Sequence, residues 1–169
     1  MKLKQSMIIL ILLILGGCTS LDFFIKETKF NNLKEKDGLY YKNEKLYTGE
    51  ARSYYENKNK KAFGTFKNGE FDGEFLFYYE DGNLRSKMNF VENKLDGTKY
   101  QYYSNGNKKI VENYNQGRLN GMLTEYYENS AIKFEVRFKD DVMTGDAVSY
   151  GKDGSVTSRI SYEVDEDDE

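Results

Sequence analysis

The sequence predicts an all-β protein: an elongated antiparallel sheet built from tandem 24-residue β-hairpin repeats. Three observations carry that prediction. Gly49, Gly73, Gly97, Gly121 and Gly145 recur every 24 residues, and a fixed period of this size marks a stacked-repeat architecture. With each glycine as repeat position 1, position 6 is Tyr54, Tyr78, Tyr102, Tyr126 and Tyr150, and position 18 is Phe66, Phe90, Tyr114, Phe138 and Tyr162. Asp81-Gly82, Asn105-Gly106 and Asp153-Gly154 stand at positions 9 and 10 between β-rich runs, which is the chemistry of a tight hairpin turn.

Composition excludes several function classes. The 169 residues contain no His, Pro or Trp, and one Cys against 15 Tyr and 11 Phe. One Cys forms no intrachain disulfide framework. Without His there is no Cys/His zinc site and no Ser-His-Asp or Cys-His catalysis. A formal charge of −3 lacks the overall basic footprint of a nucleic-acid binder. No catalytic residues, metal or cofactor are predicted. Acids such as Glu74, Glu80 and Glu112 do not recur as a set, so a carboxylate pair for glycoside hydrolysis is not indicated.

Taken in order, Met1–Ser6 carries Lys2 and Lys4, and Met7–Leu15 is an unbroken apolar run. The run is too short to span a bilayer, which takes about 20 residues, but suits the h-region of a secretory signal. It ends Leu15-Gly16-Gly17-Cys18. This stretch resembles the lipobox of bacterial lipoproteins, which implies cleavage after residue 17 and acylation of Cys18. Thr19 in place of Asp implies the outer membrane. Two or three acyl chains give stable anchoring where one is marginal. The chain from Cys18 onward holds 26 aromatics and only 23 Leu, Ile, Val and Met residues, so its core is expected to be largely aromatic.

Residues 18–37 show little periodicity and read as a lipidated N-terminus and tether. The repeat domain is placed at 38–162, opening with a half-repeat, Gly38-Leu39-Tyr40-Tyr41 to Gly49, followed by units starting at 49, 73, 97, 121 and 145. Within each unit the turn at positions 9 and 10 reads as a two-residue turn. It should be looser or of another type where Lys58 and Ser130 replace glycine. A second turn, Asn68-Gly69 or Gln116-Gly117, joins consecutive hairpins. In the returning strand even positions are apolar (Met88, Phe90, Ile110, Val136), while odd positions carry Arg85, Lys109, Lys133, Arg137 and Arg159. Period-two alternation therefore points even positions at the core. Carried into the first strand, it predicts the position-6 tyrosines inward and the position-7 tyrosines outward. Residues 163–169, six acids in seven, read as a disordered acidic tail. From Cys18 to Tyr162 the chain has 23 basic and 22 acidic residues, nearly neutral.

The pattern G-x-x-x-x-Y-Y-x-[ND]-G, then an aromatic, then [NQ]-G-x-[FL]-x-G resembles the MORN-repeat variant of bacterial proteins, including the YwqK-family antitoxins. The resemblance covers about Asp37–Tyr162. It implies successive hairpins in one long sheet and a role in protein interaction or scaffolding; an antitoxin role fits poorly with an exported chain.

The sharpest candidate site is Tyr55, Tyr79, Tyr103 and Tyr127 at position 7. Equivalent strands of successive hairpins lie two strand spacings apart, about 9.6 Å. As an outward stripe these rings would suit gripping a protein or stacking on sugars; the alternative is packing on neighbouring Lys and Arg stems. The function expected is a membrane-anchored, non-enzymatic protein-interaction or scaffold module, held in the envelope through Cys18 and with no nucleic-acid partner. A glycan- or peptidoglycan-binding module and an antitoxin- or immunity-type protein are the alternatives. A single sheet of about ten strands leaves two edges, so it curls on itself or pairs with a second copy.

Overall fold

The protein is described here by a computed structural model, over residues 28–162. Strand β1 (Thr28–Lys29) leads through a 3-10 turn (Phe30–Asn32) into a small antiparallel sheet of β2 (Lys34–Lys36), β3 (Leu39–Lys42) and β4 (Lys45–Leu46). The repeats follow as β5 (Gly49–Tyr54) and β6 (Lys60–Lys67), then β7 (Glu70–Tyr78) and β8 (Leu84–Val91). The third unit is β9 (Lys94–Leu95), β10 (Gly97–Tyr102) and β11 (Lys108–Asn115). The fourth is β12 (Arg118–Leu119), β13 (Gly121–Tyr126) and β14 (Ile132–Lys139), and the last is β15 (Val142–Tyr150) and β16 (Val156–Tyr162). The main sheet runs β1-β5-β6-β7-β8-β10-β11-β13-β14-β15-β16, antiparallel throughout except for β1 on β5. This is the all-β hairpin array that the period predicts, and no α-helix occurs among the described residues.

The two most regular positions of the repeat form one cross-strand pair. Gly49, Gly73, Gly97, Gly121 and Gly145 lie directly opposite Phe66, Phe90, Tyr114, Phe138 and Tyr162. Directly opposed side chains sit about 5 Å apart at Cβ, so a ring at position 18 has room over a glycine. Gly73 also has φ +100°, and a Cβ there would meet Thr65 Oγ1 at 2.5 Å.

The hairpin turn is not the two-residue turn expected. In each unit the amide at position 10 donates to the position-7 carbonyl, and the position-7 amide donates to the position-11 carbonyl, as in Gly82 to Tyr79 (3.0 Å) and Tyr79 to Asn83 (2.8 Å). The result is a three-residue loop whose last residue alone is left-handed. Lys58 and Ser130, both at φ 70°, adopt the same turn with the same bonds, so those turns are neither looser nor of another type. The Asn or Asp at position 9 acts through its side chain, which accepts from the position-11 amide in all five units, at 2.8–3.1 Å. The two-residue turns lie between hairpins, at Asn68-Gly69, Glu92-Asn93, Gln116-Gly117 and Asp140-Asp141, with both residues at positive φ. Two of these carry no glycine and give no turn signal in the sequence. Asn93 and Asp141 compensate by accepting from the Phe71 and Leu119 amides at 2.7 and 2.8 Å.

A bulge reverses the expected faces of the tyrosines. Position 5 pairs with 14 and position 6 with 12, as in Ser53 with Ala62 and Tyr54 with Lys60, leaving position 13 unpaired in every unit. Position 5 therefore shares the face of the even positions of the returning strand. Position 6 points to the opposite face, and position 7 returns to the core face. The expectation of inward Tyr54, Tyr78, Tyr102, Tyr126 and Tyr150 and outward Tyr55, Tyr79, Tyr103 and Tyr127 is corrected: a single extra residue inverts the parity.

Thr28–Lys36, read from the sequence as tether, is part of the fold. It covers the first two units on the core face, where Phe66 and Phe75 are buried beneath Phe30, Leu33 and Tyr40. Seven rings make this cluster, with Phe71 and Phe75 centroids 4.6 Å apart and Tyr40 and Phe71 5.0 Å apart. Tyr40 also donates its amide to the Gly69 carbonyl at 2.8 Å, tying this cover to the first inter-hairpin turn. Residues 18–27 and 163–169, and the signal peptide read over 1–17, lie outside the described residues.

Two stability changes follow. Gly64 lies under Phe75, where a Cβ would meet the ring at 2.2 Å, so Gly64→Ala should cost about 1–3 kcal/mol by overpacking. Ser130→Gly relieves a left-handed residue and should stabilise by roughly 0.5–1 kcal/mol. Urea unfolding of the two variants beside the parent checks both, and opposite signs are expected.

Candidate functional site

The position-7 tyrosines are half-buried, and each hydroxyl is committed. Tyr55, Tyr79, Tyr103 and Tyr127 donate to the carbonyls of Tyr78, Tyr102, Tyr126 and Tyr150 at 2.7–2.9 Å. Each bond reaches from one unit to position 6 of the next. Neighbouring turns are laced in the same way: Asn59, Asn83 and Asn107 amides donate to the carbonyls of Glu80, Ser104 and Glu128, each at 2.8 Å. The candidate residues are therefore brought together as a row, with ring edges rather than hydroxyls left to meet a partner.

Basic residues accompany that row. Position 13, the bulge residue, is Lys61, Arg85, Lys109 and Lys133 in the first four units. Lys61 Nζ lies 5.5 Å from the Tyr55 ring centre and Lys109 Nζ 5.6 Å from that of Tyr103. The Arg85 guanidinium lies 5.7 Å from the Phe77 ring centre, placing position 13 on the face of positions 5 and 7. Lys133 instead binds Glu125 at 2.8 Å, and this carboxylate raises the lysine pKa. Sequence reasoning set Arg85, Lys109 and Lys133 among outward charges and passed over the row. The signal was present, a basic residue at one repeat position in four consecutive units.

The core face changes character at the third unit. The opposed pair at positions 3 and 16 is Phe75–Met88 in the second unit and Leu123–Val136 in the fourth, but Lys99–Glu112 in the third. Lys99 Nζ is 2.7 Å from Glu112, with side-chain exposures of 22% and 13%. Glu112 also accepts from Tyr114 at 3.3 Å. Burial first, and then the Glu112 carboxylate, push the Tyr114 pKa up to about 12. Phe30, Leu33 and Tyr40 pack on the cluster of Phe66 and Phe75, whereas the third unit holds this largely buried ion pair on the same face. Beside it lies an open depression of about 380 Å³, lined by Arg85, Ser86, Lys99, Gln101 and Lys109 with Tyr79.

On the opposite face stand the position-6 tyrosines. Tyr54 is 37% exposed. Tyr102 stacks on Tyr100, ring centres 6.3 Å apart, and Tyr150 donates to Glu135. Among the described residues no group of three or more Asp, Glu or Cys side chains is arranged to hold a metal ion, and no helix is long and apolar enough to cross a membrane. Cys18 lies outside the described residues.

The geometry defines a β-hairpin repeat protein whose units are cross-linked through tyrosine hydroxyls and turn amides. The MORN repeat variant family matches residues 47–68, 71–92, 95–116 and 119–140, four tandem copies that together cover just over half of the chain. The chain belongs to that family. Repeats of this kind are commonly protein- or membrane-interaction modules and are generally non-catalytic. The fifth hairpin, β15 with β16, lies beyond the matched residues and keeps the same turn and bulge. No curated protein matches the sequence.

The Tyr114 hydroxyl yields a pH prediction. Its folded pKa is above the ordinary value near 10, so the folded state retains a proton that the unfolded chain releases. Its contribution to stability is complete below pH about 10 and is lost as pH rises towards 12. Denaturant midpoints should fall across that window, and Tyr114→Phe should flatten the decline.

Proposed function

We propose that this chain is a non-enzymatic interaction module anchored in the bacterial cell envelope by lipid on Cys18, and that its repeat array holds a protein partner. The observation that carries this reading is the array itself. It presents the same side chains at the same place on four or five successive units, so one partner can be engaged at many equivalent points. Solenoid-like repeats bind through such extended surfaces rather than through a single deep pocket. The basic residues before Met7–Leu15 and the Leu15-Gly16-Gly17-Cys18 stretch support the anchor, with Thr19 favouring the outer membrane.

In-cell cross-linking of the full chain, followed by affinity purification, should recover a discrete protein joined to residues of the repeat faces. Recovery of none from well-expressed, folded protein would overturn the interaction reading. Cys18→Ala should move the chain from the membrane fraction to the soluble fraction, and unchanged membrane retention would overturn the anchor.

A further inference from the structure

We propose that the core-face row of Lys61, Arg85, Lys109 and Lys133 is a docking ladder for an extended acidic polypeptide with a carboxylate at every third residue. The proposal rests on the interaction reading above and names the chemistry of the partner.

Four observations carry it. The bulge places all four cations at the same repeat position and on one face. Successive rungs are separated by two strand spacings, about 9.6 Å, so the ladder crosses about 29 Å of sheet. A polyproline II segment advances about 3.1 Å per residue with three residues per turn, so every third side chain recurs on one side about every 9.3 Å. Charge and spacing thus match an acidic extended strand lying across the sheet, perpendicular to its strands.

The second observation is pairing. Lys61, Arg85 and Lys109 make no ion pair among the described residues, and only Lys133 has a carboxylate partner. Glu112 and Glu125, on the same face, are taken by Lys99 and Lys133. Three rungs are left to a ligand, on a chain whose formal charge is −3.

Third, three of the four tyrosine rings between the rungs already carry a cation, Lys152 over Tyr127 among them. Lys61 lies over Tyr55 and Lys109 over Tyr103, while the tyrosine hydroxyls are bonded to the next unit. Sugar rings or nucleobases would need those ring faces for stacking, whereas a carboxylate needs only the ammonium and guanidinium heads. Fourth, the depression between Arg85 and Lys109 places the Ser86 hydroxyl beside the cations, together with the Gln101 amide, one of whose two N–H groups donates to Glu112 at 3.4 Å. The Ser86 hydroxyl and the second Gln101 N–H can complete the hydrogen bonds of one inserted carboxylate.

The test uses the full chain and a labelled (Glu-Pro-Pro)n peptide long enough to span four rungs, read by fluorescence anisotropy. Binding should weaken steeply with salt. It should fall at least about tenfold, or 1.4 kcal/mol, in a Lys61→Gln, Arg85→Gln, Lys109→Gln variant. The opposite-face variant Lys60→Gln, Lys87→Gln, Lys108→Gln should bind as the parent does. A peptide of the same composition with its glutamates grouped at one end should bind more weakly. Absence of binding to the folded chain, an equal loss in the opposite-face variant, or indifference to glutamate spacing would each overturn the proposal. So would ladder-dependent binding to anionic vesicles or polygalacturonate without binding to the peptide. If cross-linking still recovers a partner with the ladder variant, the ladder fails and the interaction reading stands. If the parent recovers none, the interaction reading fails, and the anisotropy result judges the ladder by itself.

Discussion

The unpaired residue at repeat position 13 decides which face of the sheet each side chain occupies. Without it, strict alternation would put the position-7 tyrosines on the outer face, away from the aromatic core. One extra residue per returning strand brings them back to the core face. There a hydroxyl can reach across to the next unit, and Tyr55 finds the Tyr78 carbonyl at 2.8 Å. The same residue, being unpaired, is free to carry a long cation over its neighbour ring. Inter-unit bonding and the basic ladder are thus two results of one irregularity, repeated with the period of the sequence.

A second constraint follows from the sheet being a single layer. A second layer covers the core face where Phe30, Leu33 and Tyr40 pack on it, and there the rings of Phe66, Phe71, Phe75 and Phe90 form a continuous cluster. Burying each such ring is worth roughly 1.5–3 kcal/mol, so the N-terminal units are expected to be the most stable part of the array. Farther along, the interior-type pair of positions 3 and 16 is replaced by Lys99 and Glu112. Stability there depends more on neighbouring units, as in other repeat arrays, where each unit contacts only the next.

The period, the hairpins, the five units and the inter-hairpin turn at Asn68-Gly69 were legible in the sequence, because glycine, turn residues and aromatics carry strong positional signals. The tyrosine faces were not. A bulge adds no distinctive residue, since Lys61, Arg85, Lys109 and Lys133 read as ordinary odd-position charges. The turns without glycine were missed for a similar reason. Glu92-Asn93 and Asp140-Asp141 reach positive φ with help from side-chain bonds that only the fold discloses. Phe30 and Leu33 lack the 24-residue period because they are not part of a repeat; they cover one. The candidate tyrosines were found by their period, but the cations beside them gain meaning only once the two positions are seen to share a face.

The two ends of the array meet water differently. At the N-terminal edge, β1 adds a short parallel strand to β5, and the small sheet of β2–β4 lies alongside. At the far edge β16 has no strand beyond it among the described residues, with Val156 52% and Ile160 54% exposed. An exposed apolar edge strand invites pairing with a second copy. Arg159 is held by Asp146, and Ser161 donates to the same carboxylate, so the polar side chains of this edge turn inward to β15 rather than outward. Six acids in seven then follow directly in sequence. Among the described residues one edge of the sheet is paired by β1 and the other, β16, is open. The row of Lys61, Arg85, Lys109 and Lys133 lies on the core face of the first four units, apart from both edges.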